Sequence, residues 1–446
     1  MTRPRCCPAL VLCALLITVG FGPSPGGVAR AAAPPAGFEE VTPPEGADRA
    51  ELPAPQPADD DWPWWRGLSR DNKARPGQSP PLEWGPTENV VWKSEVHGRG
   101  HGSPCLWGDR IFLATADDKA QTQSVLCFDR KTGKQLWQTE VHRGGFMHNH
   151  AKGSHASVSP ACDGQRVFVS FMVQQGVWAT ALDFQGKIVW QKKVAPFKSL
   201  HGYGPSPLVY RSLVIVPADN PGPNFLAALR RDTGEVVWRI RRMDYQSFAS
   251  PNVGRIAGRE QLLVMGPKEV SSYDPANGKR IWHAAGPTLE HAATAVFDDQ
   301  TVYASAGFPD RRLYAIRADG TGDVTDTHIQ WRLMKDGSFV PTPLLHEGLL
   351  YVVNDRGLAM CLNAKTGETV WSHKLDGGFS ASPVLVGDKL FVPNEAGKMF
   401  IFKTGRKFEM VAENDLKDGG FASPVVCGGR IYLRTLHALY CLGKPQ

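Results

Sequence analysis

The sequence predicts an all-β fold, an eight-bladed β-propeller made of four-stranded blades. Three observations indicate it: a Gly-x-x-x-Trp pattern with a period of about 40 to 50 residues, Ser-Pro or Thr-Pro pairs that open the repeats, and four short apolar runs in each repeat. The 46 glycines and 35 prolines also favour many turns and short strands over long helices. We therefore expect the propeller to occupy residues 62–446.

The N-terminal 33 residues have the pattern of a secretory signal peptide. Two arginines precede the apolar run 9–21, glycine and proline follow it, and small residues up to Ala33 provide a cleavage site. The run is shorter than the roughly 20 residues that span a bilayer. We predict a signal peptide over 1–33, a disordered Pro- and Ala-rich spacer over 34–61, and a periplasmic or secreted mature chain without a transmembrane segment.

The charge balance gives no case for a nucleic-acid partner. The formal net charge is +6, and the predicted leader holds three arginines and no acidic residue, so a chain that begins after Ala33 carries 6 − 3 = +3. Nucleic-acid binding usually requires a much more basic surface.

Each repeat ends on a fourth apolar run that carries a Trp, preceded by a turn such as Asp-Arg-Lys-Thr-Gly. Asp or Asn in such a turn bonds the backbone, and Gly accepts the left-handed conformation. The repeat phase assigns a structural role to Trp92, Trp137, Trp190, Trp238, Trp282, Trp331 and Trp371. Trp62 precedes the ring, and a small effect of its removal is expected. Blade seven has Glu409 and Met410 where the Trp is expected, which predicts looser packing at that boundary.

Counting strands predicts how the ring closes. The last repeat begins at Ser423-Pro424, supplies three runs and ends near Gly443, whereas the segment 89–96 (NVVWKSEV) is a fourth strand with no preceding three. Pairing the two would complete the eighth blade and remove the exposed edges of an open array.

The repeat Ala-Leu-Asp-x-x-Thr-Gly-x-x-x-Trp, present for instance from Ala181 through Gly186 to Trp190, resembles the propeller repeat of quinoprotein alcohol dehydrogenases. It also resembles non-enzymatic envelope propellers, including that of the outer-membrane barrel-assembly machinery. The segment 62–67 (WPWWRG) with residues 88–93 and 98–104 is similar to secreted bacterial proteins described only by these repeats. The resemblance implies the propeller fold and, for the dehydrogenases, pyrroloquinoline quinone held with calcium beneath a pair of adjacent cysteines.

The six cysteines that follow the leader do not reproduce that pair. Cys127, Cys361 and Cys441 take the third-strand slot that other repeats give to alanines, which predicts small buried core residues. The acidic, Gly-rich segment 319–326 lacks the spacing of an EF-hand loop and is predicted to be a structured surface insertion.

The linkers that lead into each first strand converge on the centre of a propeller and are the expected place for a site. Four blades carry a His there and the other four carry Phe248, Phe339, Phe379 and Phe421. The candidate binding residues of this funnel are His101, His155, His201, His291, Arg99 and Lys152. Imidazoles could bind a transition metal, with His148, His150 and His155 as candidates, or they could be packing plugs of the channel.

The predicted function is a non-catalytic binding or scaffold module of the cell envelope with a protein or polymeric partner. One alternative is a pyrroloquinoline quinone-dependent alcohol or sugar dehydrogenase, whose quinone and calcium would need basic residues and a set of carboxylates. The linkers offer Arg99, Lys152 and Lys198 but no matching carboxylate set. A further alternative is a metal-dependent lyase or hydrolase with a His-lined funnel.

Overall fold

A computed structural model describes residues 35–43, 51–266 and 268–444. These residues form strands, turns and loops and no α-helix, so no helix of the described chain could cross a membrane. The predicted signal peptide lies outside the described residues.

Eight antiparallel sheets form the eight blades of a propeller, which confirms the predicted fold. Blade one contains β2 (Cys105–Trp107), β3 (Arg110–Asp117), β4 (Thr122–Asp129) and β5 (Gln135–Arg143), and blade two contains β6 (Ala161–Cys162), β7 (Arg166–Val173), β8 (Gly176–Asp183) and β9 (Ile188–Pro196). Blade three contains β10 (Leu208–Tyr210), β11 (Leu213–Ala218), β12 (Asn224–Arg230) and β13 (Val236–Arg242). Blade four contains β14 (Asn252–Ile256), β15 (Arg259–Met265), β16 (Glu269–Tyr273) and β17 (Arg280–Ala285).

The remaining blades follow the same order from the innermost to the outermost strand. Blade five contains β18 (Val296–Phe297), β19 (Thr301–Ala306), β20 (Arg312–Arg317) and β22 (Ile329–Leu333), and blade six contains β23 (Leu344–His346), β24 (Leu349–Val353), β25 (Leu358–Asn363) and β26 (Thr369–Lys374). Blade seven contains β27 (Val384–Val386), β28 (Lys389–Pro393), β29 (Lys398–Lys403) and β30 (Met410–Asp415). Blade eight contains β31 (Val425–Cys427), β32 (Arg430–Arg434), β33 (Ala438–Leu442) and β1 (Val90–Glu95).

The N-terminal strand β1 closes the ring as expected. It pairs antiparallel with β33, with Trp92 opposite Cys441 and Glu95 opposite Ala438. The pairing continues at both ends, where the Gly443 amide donates to Asn89 O and the Val96 amide to His437 O, each at 2.9 Å. Blade eight is therefore built from both ends of the ring.

The fourth-strand Trp residues join neighbouring blades. The Trp92 ring lies against Gly133 of the next blade so closely that a methyl group on that glycine would come within 2.5 Å of it. Trp92 Nε1 also donates to Arg130 O at 3.2 Å. Similar bonds to the following blade are made by Trp137, Trp190, Trp238, Trp331 and Trp371. The Gly of each Gly-x-x-x-Trp pattern thus makes room for the Trp of the preceding blade.

The residue opposite each Trp in the third strand is small, which explains the cysteine slot. Cys127 pairs with Trp137, Cys361 with Trp371, and Cys441 with Trp92, while alanines pair with Trp190, Trp238 and Trp331. The predicted burial of the three cysteines is confirmed. All six cysteines of the described chain are buried and free.

Blades four and seven depart from the pattern. Trp282 of blade four bonds Gln261 of its own blade, and β21 (Gly322–Asp323), from the acidic Gly-rich segment, pairs beside it as a fifth strand. In blade seven the register puts Ala412 in the Trp position, opposite the larger Ile401. Trp84, from the segment before β1, is buried in the same cluster and stacks on Phe391, so an aromatic ring from elsewhere fills this boundary.

Parts of the segment expected to be a disordered spacer contact the propeller. Phe38 packs on Phe225, and Val41 exchanges two backbone hydrogen bonds of 2.9 Å with Arg239. The Leu52 amide donates to Ser212 Oγ at 2.7 Å. The expectation that Trp62 lies free of the ring is wrong: its side chain is buried and its backbone pairs with Leu106.

Candidate functional site

The centre of the ring holds a cavity of about 650 Å³. Its wall comes from the linkers before the first strands and from the loops between second and third strands, because both kinds of loop lie at the same end of a blade. Its aromatic lining consists of Trp65, Phe248, Phe308, Phe339, Phe379 and Phe421. The volume is in the range typical of small-ligand pockets.

The Ser and Thr residues at the start of the first strands lie around this cavity, and hydrogen bonds link most neighbouring members; we call them the hydroxyl ring. In six of the eight pairs of neighbours the backbone amide of one residue donates to the hydroxyl of the next at 2.8 to 3.0 Å, and the bonded pairs are Ser103 with Ser159, Ser159 with Ser206, Ser206 with Ser250, Thr294 with Thr342, Thr342 with Ser382, and Ser382 with Ser423. Between blades eight and one, Ser103 Oγ donates to Ser423 O at 2.8 Å. Thr294 supplies the hydroxyl of blade five, where the sequence lacks the Pro. These Ser and Thr residues thus link neighbouring blades by hydrogen bonds.

A segment N-terminal to the ring closes one end of the cavity. We call residues 62–74 the plug, because they bond the inner strands of several blades. Trp65 Nε1 donates to Thr294 Oγ1 at 3.1 Å, and Asn72 Nδ2 donates to Pro383 O. The Arg66 side chain is buried and donates to Arg70 O and Asp71 O at 3.2 and 3.1 Å, which holds the plug in a compact turn.

Charged side chains surround the open end. Lys152 Nζ donates to Glu395 Oε1 at 2.8 Å, and Arg311 lies 3.6 Å from Asp355. Asp355 also accepts the backbone amides of Phe339 and Val340. Glu290 accepts a hydrogen bond from Gln246 and has no ion-pair partner among the described residues. The five ionisable side chains other than His, namely Lys152, Arg311, Glu290, Asp355 and Glu395, sum to 2 − 3 = −1.

Of the predicted funnel residues, His101, His201 and Lys152 line the cavity, as does His150. The His101 ring packs against Phe421 at a tilt of 36°, with 4.3 Å between ring centroids. Burial, together with the nearby Arg99 and Arg434, lowers the pKa of His101 to about 3, so its ring is neutral at pH 7. The sequence could not distinguish these His residues from the others because their offset from the Ser-Pro pair varies.

The other predicted funnel residues lie away from the cavity wall. His155 is held outside it, with Nδ1 2.8 Å from Asp118 Oδ1 and Nε2 2.9 Å from Met147 O. His291 is fully buried under the surface, and burial lowers its pKa to about 3. Arg99 donates to Ala151 O at 2.9 Å and does not line the cavity.

The three metal candidates do not come together. His148 is exposed and outside the cavity lining, His155 is bonded as described, and His150 faces His201 with 6.1 Å between ring centroids. Within the part of the chain that the structure describes, no three His, Cys, Asp or Glu side chains are grouped so as to hold a metal ion.

The cavity also does not fit the quinone that the resemblance implies. A trianionic quinone needs several free cationic groups, and here Lys152 and Arg311 are each paired with a carboxylate. The lining as a whole is net negative, so a trianion would be repelled. No catalytic step through a quinone is therefore derived from these residues.

Comparison with known proteins places the repeats in one family. The PQQ_2 family model, described as "Outer membrane protein assembly factor BamB", matches residues 121–373, 323–407 and 361–440. A relative with the same description from Yersinia pestis is 24% identical over 372 residues, which are 79% of this chain and 87% of the relative.

Two solved structures share the fold. BamB from Moraxella catarrhalis superposes with a TM-score of 0.57 at 16% identity over 80% of this chain and 98% of its own. Quinohemoprotein alcohol dehydrogenase from Comamonas testosteroni superposes with a TM-score of 0.63 at 11% identity over 87% and 81%. Relatives thus include both an assembly factor and a dehydrogenase. Because the family model covers well over half of its length, this chain belongs to the PQQ_2 family, the pyrroloquinoline quinone-repeat propellers.

Proposed function

We propose that this protein is a non-catalytic binding module of the cell envelope whose central cavity and its rim meet a protein or polymeric partner. The observation that carries the proposal is the chemistry of the cavity. It is lined by aromatic rings, hydroxyls and three carboxylates, its Lys and Arg side chains are both ion-paired, and the plug closes its floor. Such a lining can bind a ligand but offers no free Lys or Arg side chain for the carboxylates of a quinone.

An envelope location is part of the proposal. The leader 1–33 has the charged, apolar and small-residue regions of a signal peptide, and the relatives include factors named for outer membrane protein assembly. We propose that the leader is removed and that the mature chain is periplasmic or secreted. Mass spectrometry of the protein from its native envelope should give the mass of a chain that begins after Ala33. The mass of a chain that still begins at Met1 would contradict the proposal.

The dehydrogenase alternative is tested directly. Purified protein is incubated with pyrroloquinoline quinone and calcium, dialysed, and assayed for retained quinone and for alcohol-dependent reduction of an artificial electron acceptor. We expect neither, since a net-negative lining repels a trianion. Stoichiometric retention together with dye reduction would overturn the proposal.

Partner contact at the rim is tested by site-specific photocrosslinking in cells. A photoreactive residue replaces Phe308, which is 51% exposed at the cavity mouth, and in a matched control replaces Leu136, which is 43% exposed on the outer strand of blade one. We expect discrete adducts from position 308 and none of the same size from position 136. Equal adducts from both, or none from position 308, would contradict the proposed partner site.

A further inference from the structure

Glu290 is a buried carboxylate at the wall of the cavity, with 6% of its surface exposed. Its Oε1 accepts a hydrogen bond from Gln246, and within the described residues it has no cationic partner. A buried, unpaired charge costs free energy, which a cation bound beside it would offset.

The charges of the mouth are also arranged by depth. The side chains of Asp355 and Glu395 are only 18% and 20% exposed, whereas the Lys152 side chain that meets Glu395 is 60% exposed. These two carboxylates therefore lie in a less polar environment, where their field is stronger, and the ammonium of Lys152 lies in water. The Arg311 side chain, 26% exposed, lies at a depth similar to that of Asp355 and offsets its charge, whereas no described residue offsets the charge of Glu290. The interior of the cavity attracts a cation.

Aromatic rings supply the second attraction. Phe248, Phe339 and Phe421 line the cavity, and Trp65 forms its floor. The faces of such rings attract ammonium and guanidinium groups, most strongly where water is excluded. A planar guanidinium can in addition stack on the rings while it bonds a carboxylate.

The rim carries apolar side chains on loops of the same end of the blades. Phe308 and Val340 line the mouth and are exposed, and Leu200, Met243 and Met334 are exposed on neighbouring linkers. Exposed apolar groups around an acidic cavity match a protein segment that carries both apolar residues and a cation.

We propose that the cavity receives an Arg or Lys side chain from an apolar segment of a protein partner, with Glu290 as the ion-pair partner of that side chain. The proposal rests on the binding function proposed above and identifies the chemistry of the partner. The same cationic group could come from a free organic cation, so the test separates the two sources.

The test measures binding of labelled peptides to purified protein by fluorescence anisotropy. One short peptide has arginine between leucines, a second has neutral citrulline in its place, and a third arm competes with free arginine amide. We expect the arginine peptide to bind at least about tenfold more tightly than the citrulline peptide, and binding to weaken as salt is raised. Equal affinities for the two peptides would overturn the proposal.

Glu290→Gln keeps the size of the side chain and removes its charge, so it should abolish most of the arginine preference. Glu413→Gln is the matched control, because Glu413 lies on the outer strand of blade seven, away from the cavity, where it pairs with Lys398. If Glu290→Gln does not fold, Glu290→Asp replaces it; this variant keeps the charge but shortens the side chain by one methylene, so it should reduce the arginine preference. An undiminished preference in the folded variant would overturn the role of Glu290.

Free arginine amide should bind far more weakly than the peptide. Equal affinity would identify a free organic cation as the ligand and overturn the protein source. The outcomes also separate this inference from the broader function: quinone-dependent dye reduction would refute the binding module, whereas inactivity with quinone and no charge preference would refute only the inference.

Discussion

Trp65 Nε1 donates a hydrogen bond to Thr294 Oγ1 at 3.1 Å, which joins the plug to the hydroxyl ring of the propeller. Thr294 is the ring member of blade five, and its amide donates in turn to Thr342 Oγ1 at 3.0 Å. This bond is therefore one of those that hold the floor of the cavity, beside the bond from Asn72 to Pro383 O.

Removing this indole should loosen the floor. We expect Trp65→Ala to lower the free energy of unfolding by about 2–4 kcal/mol, because a large, partly buried ring and its hydrogen bond are lost. Trp65→Phe keeps a ring and should lose less. Chemical denaturation of both variants measures the difference. Equal losses would contradict a packing role for the part of the ring that phenylalanine keeps, and would assign the whole contribution to the hydrogen bond and the extra ring volume.

Strand β1, which closes the ring and which we call the clasp, should be essential for ring stability. Replacing residues 89–96 by eight Gly and Ser residues keeps the length of the chain but removes the β1 to β33 pairing and exposes the β33 edge. We expect a large drop in melting temperature and aggregation. Deleting residues 35–43 is the control and should cost much less, because this segment lies outside the blades and contacts them through the Val41 bridge and the Phe38 ring. A normal melting curve for the replaced clasp would contradict closure.

The interblade Trp residues should contribute strongly to stability. Trp190→Ala should cost about 3–5 kcal/mol, since the ring is buried against Gly234 and its Nε1 bonds Arg231 O at 3.0 Å. The adjacent Val189 is 44% exposed, and Val189→Ala should change stability by about 0.5 kcal/mol or less. Similar losses for the two variants in urea unfolding would argue against the docking role.

Glycines under these rings should tolerate a methyl group poorly. Gly133 has a positive φ of 73°, and an added Cβ would lie 2.5 Å from the Trp92 ring. Gly387 also has a positive φ, of 57°, but an added Cβ meets no atom within 4 Å. Gly133→Ala should therefore lower the melting temperature more than Gly387→Ala, which pays only the backbone strain. The reverse order would mean that the Trp ring shifts freely.

Stability should fall in mild acid. Burial lowers the pKa of His101 and His291 to about 3 and that of His142 to about 4, from an ordinary value of 6.5. In acid the unfolded chain therefore binds more protons than the folded chain. The stability that these neutral His residues contribute is fully present above about pH 6.5 and is lost as the pH falls, by up to about 1.4 kcal/mol per pH unit for each His.

A variant isolates one of these groups. Burial raises the pKa of Asp219 to about 6, so this group makes the protein more stable as the pH falls below 6, opposite to the His residues. Because Asp219 is present in both proteins, its contribution cancels when a His variant is compared with the unchanged protein. His291→Phe takes the residue found at this linker position in four other blades. It should lose less stability than the unchanged protein between pH 7 and 5. Identical pH profiles in denaturant unfolding would contradict the neutral, buried state of His291.

Local sequence determined most of the fold. The Gly-x-x-x-Trp period, the turns and the alternation of apolar runs define the blades, and the unpaired segment 89–96 predicts the clasp, because strands and tight turns depend on neighbouring residues. The burial of Cys127, Cys361 and Cys441 was likewise predictable, since the repeats align these residues with alanines of other blades.

The candidate site was decided by tertiary structure. Glu290, Asp355 and Glu395 come from three blades and from two kinds of loop, so no spacing in the sequence connects them. Trp65 lies outside the repeat, and its contact with Thr294 joins residues far apart in the chain. His101 and His201 line the cavity while His155 and His291 do not, because each linker follows its own path. Closing the ring brings the loops of all the blades to one axis, and this convergence creates the cavity.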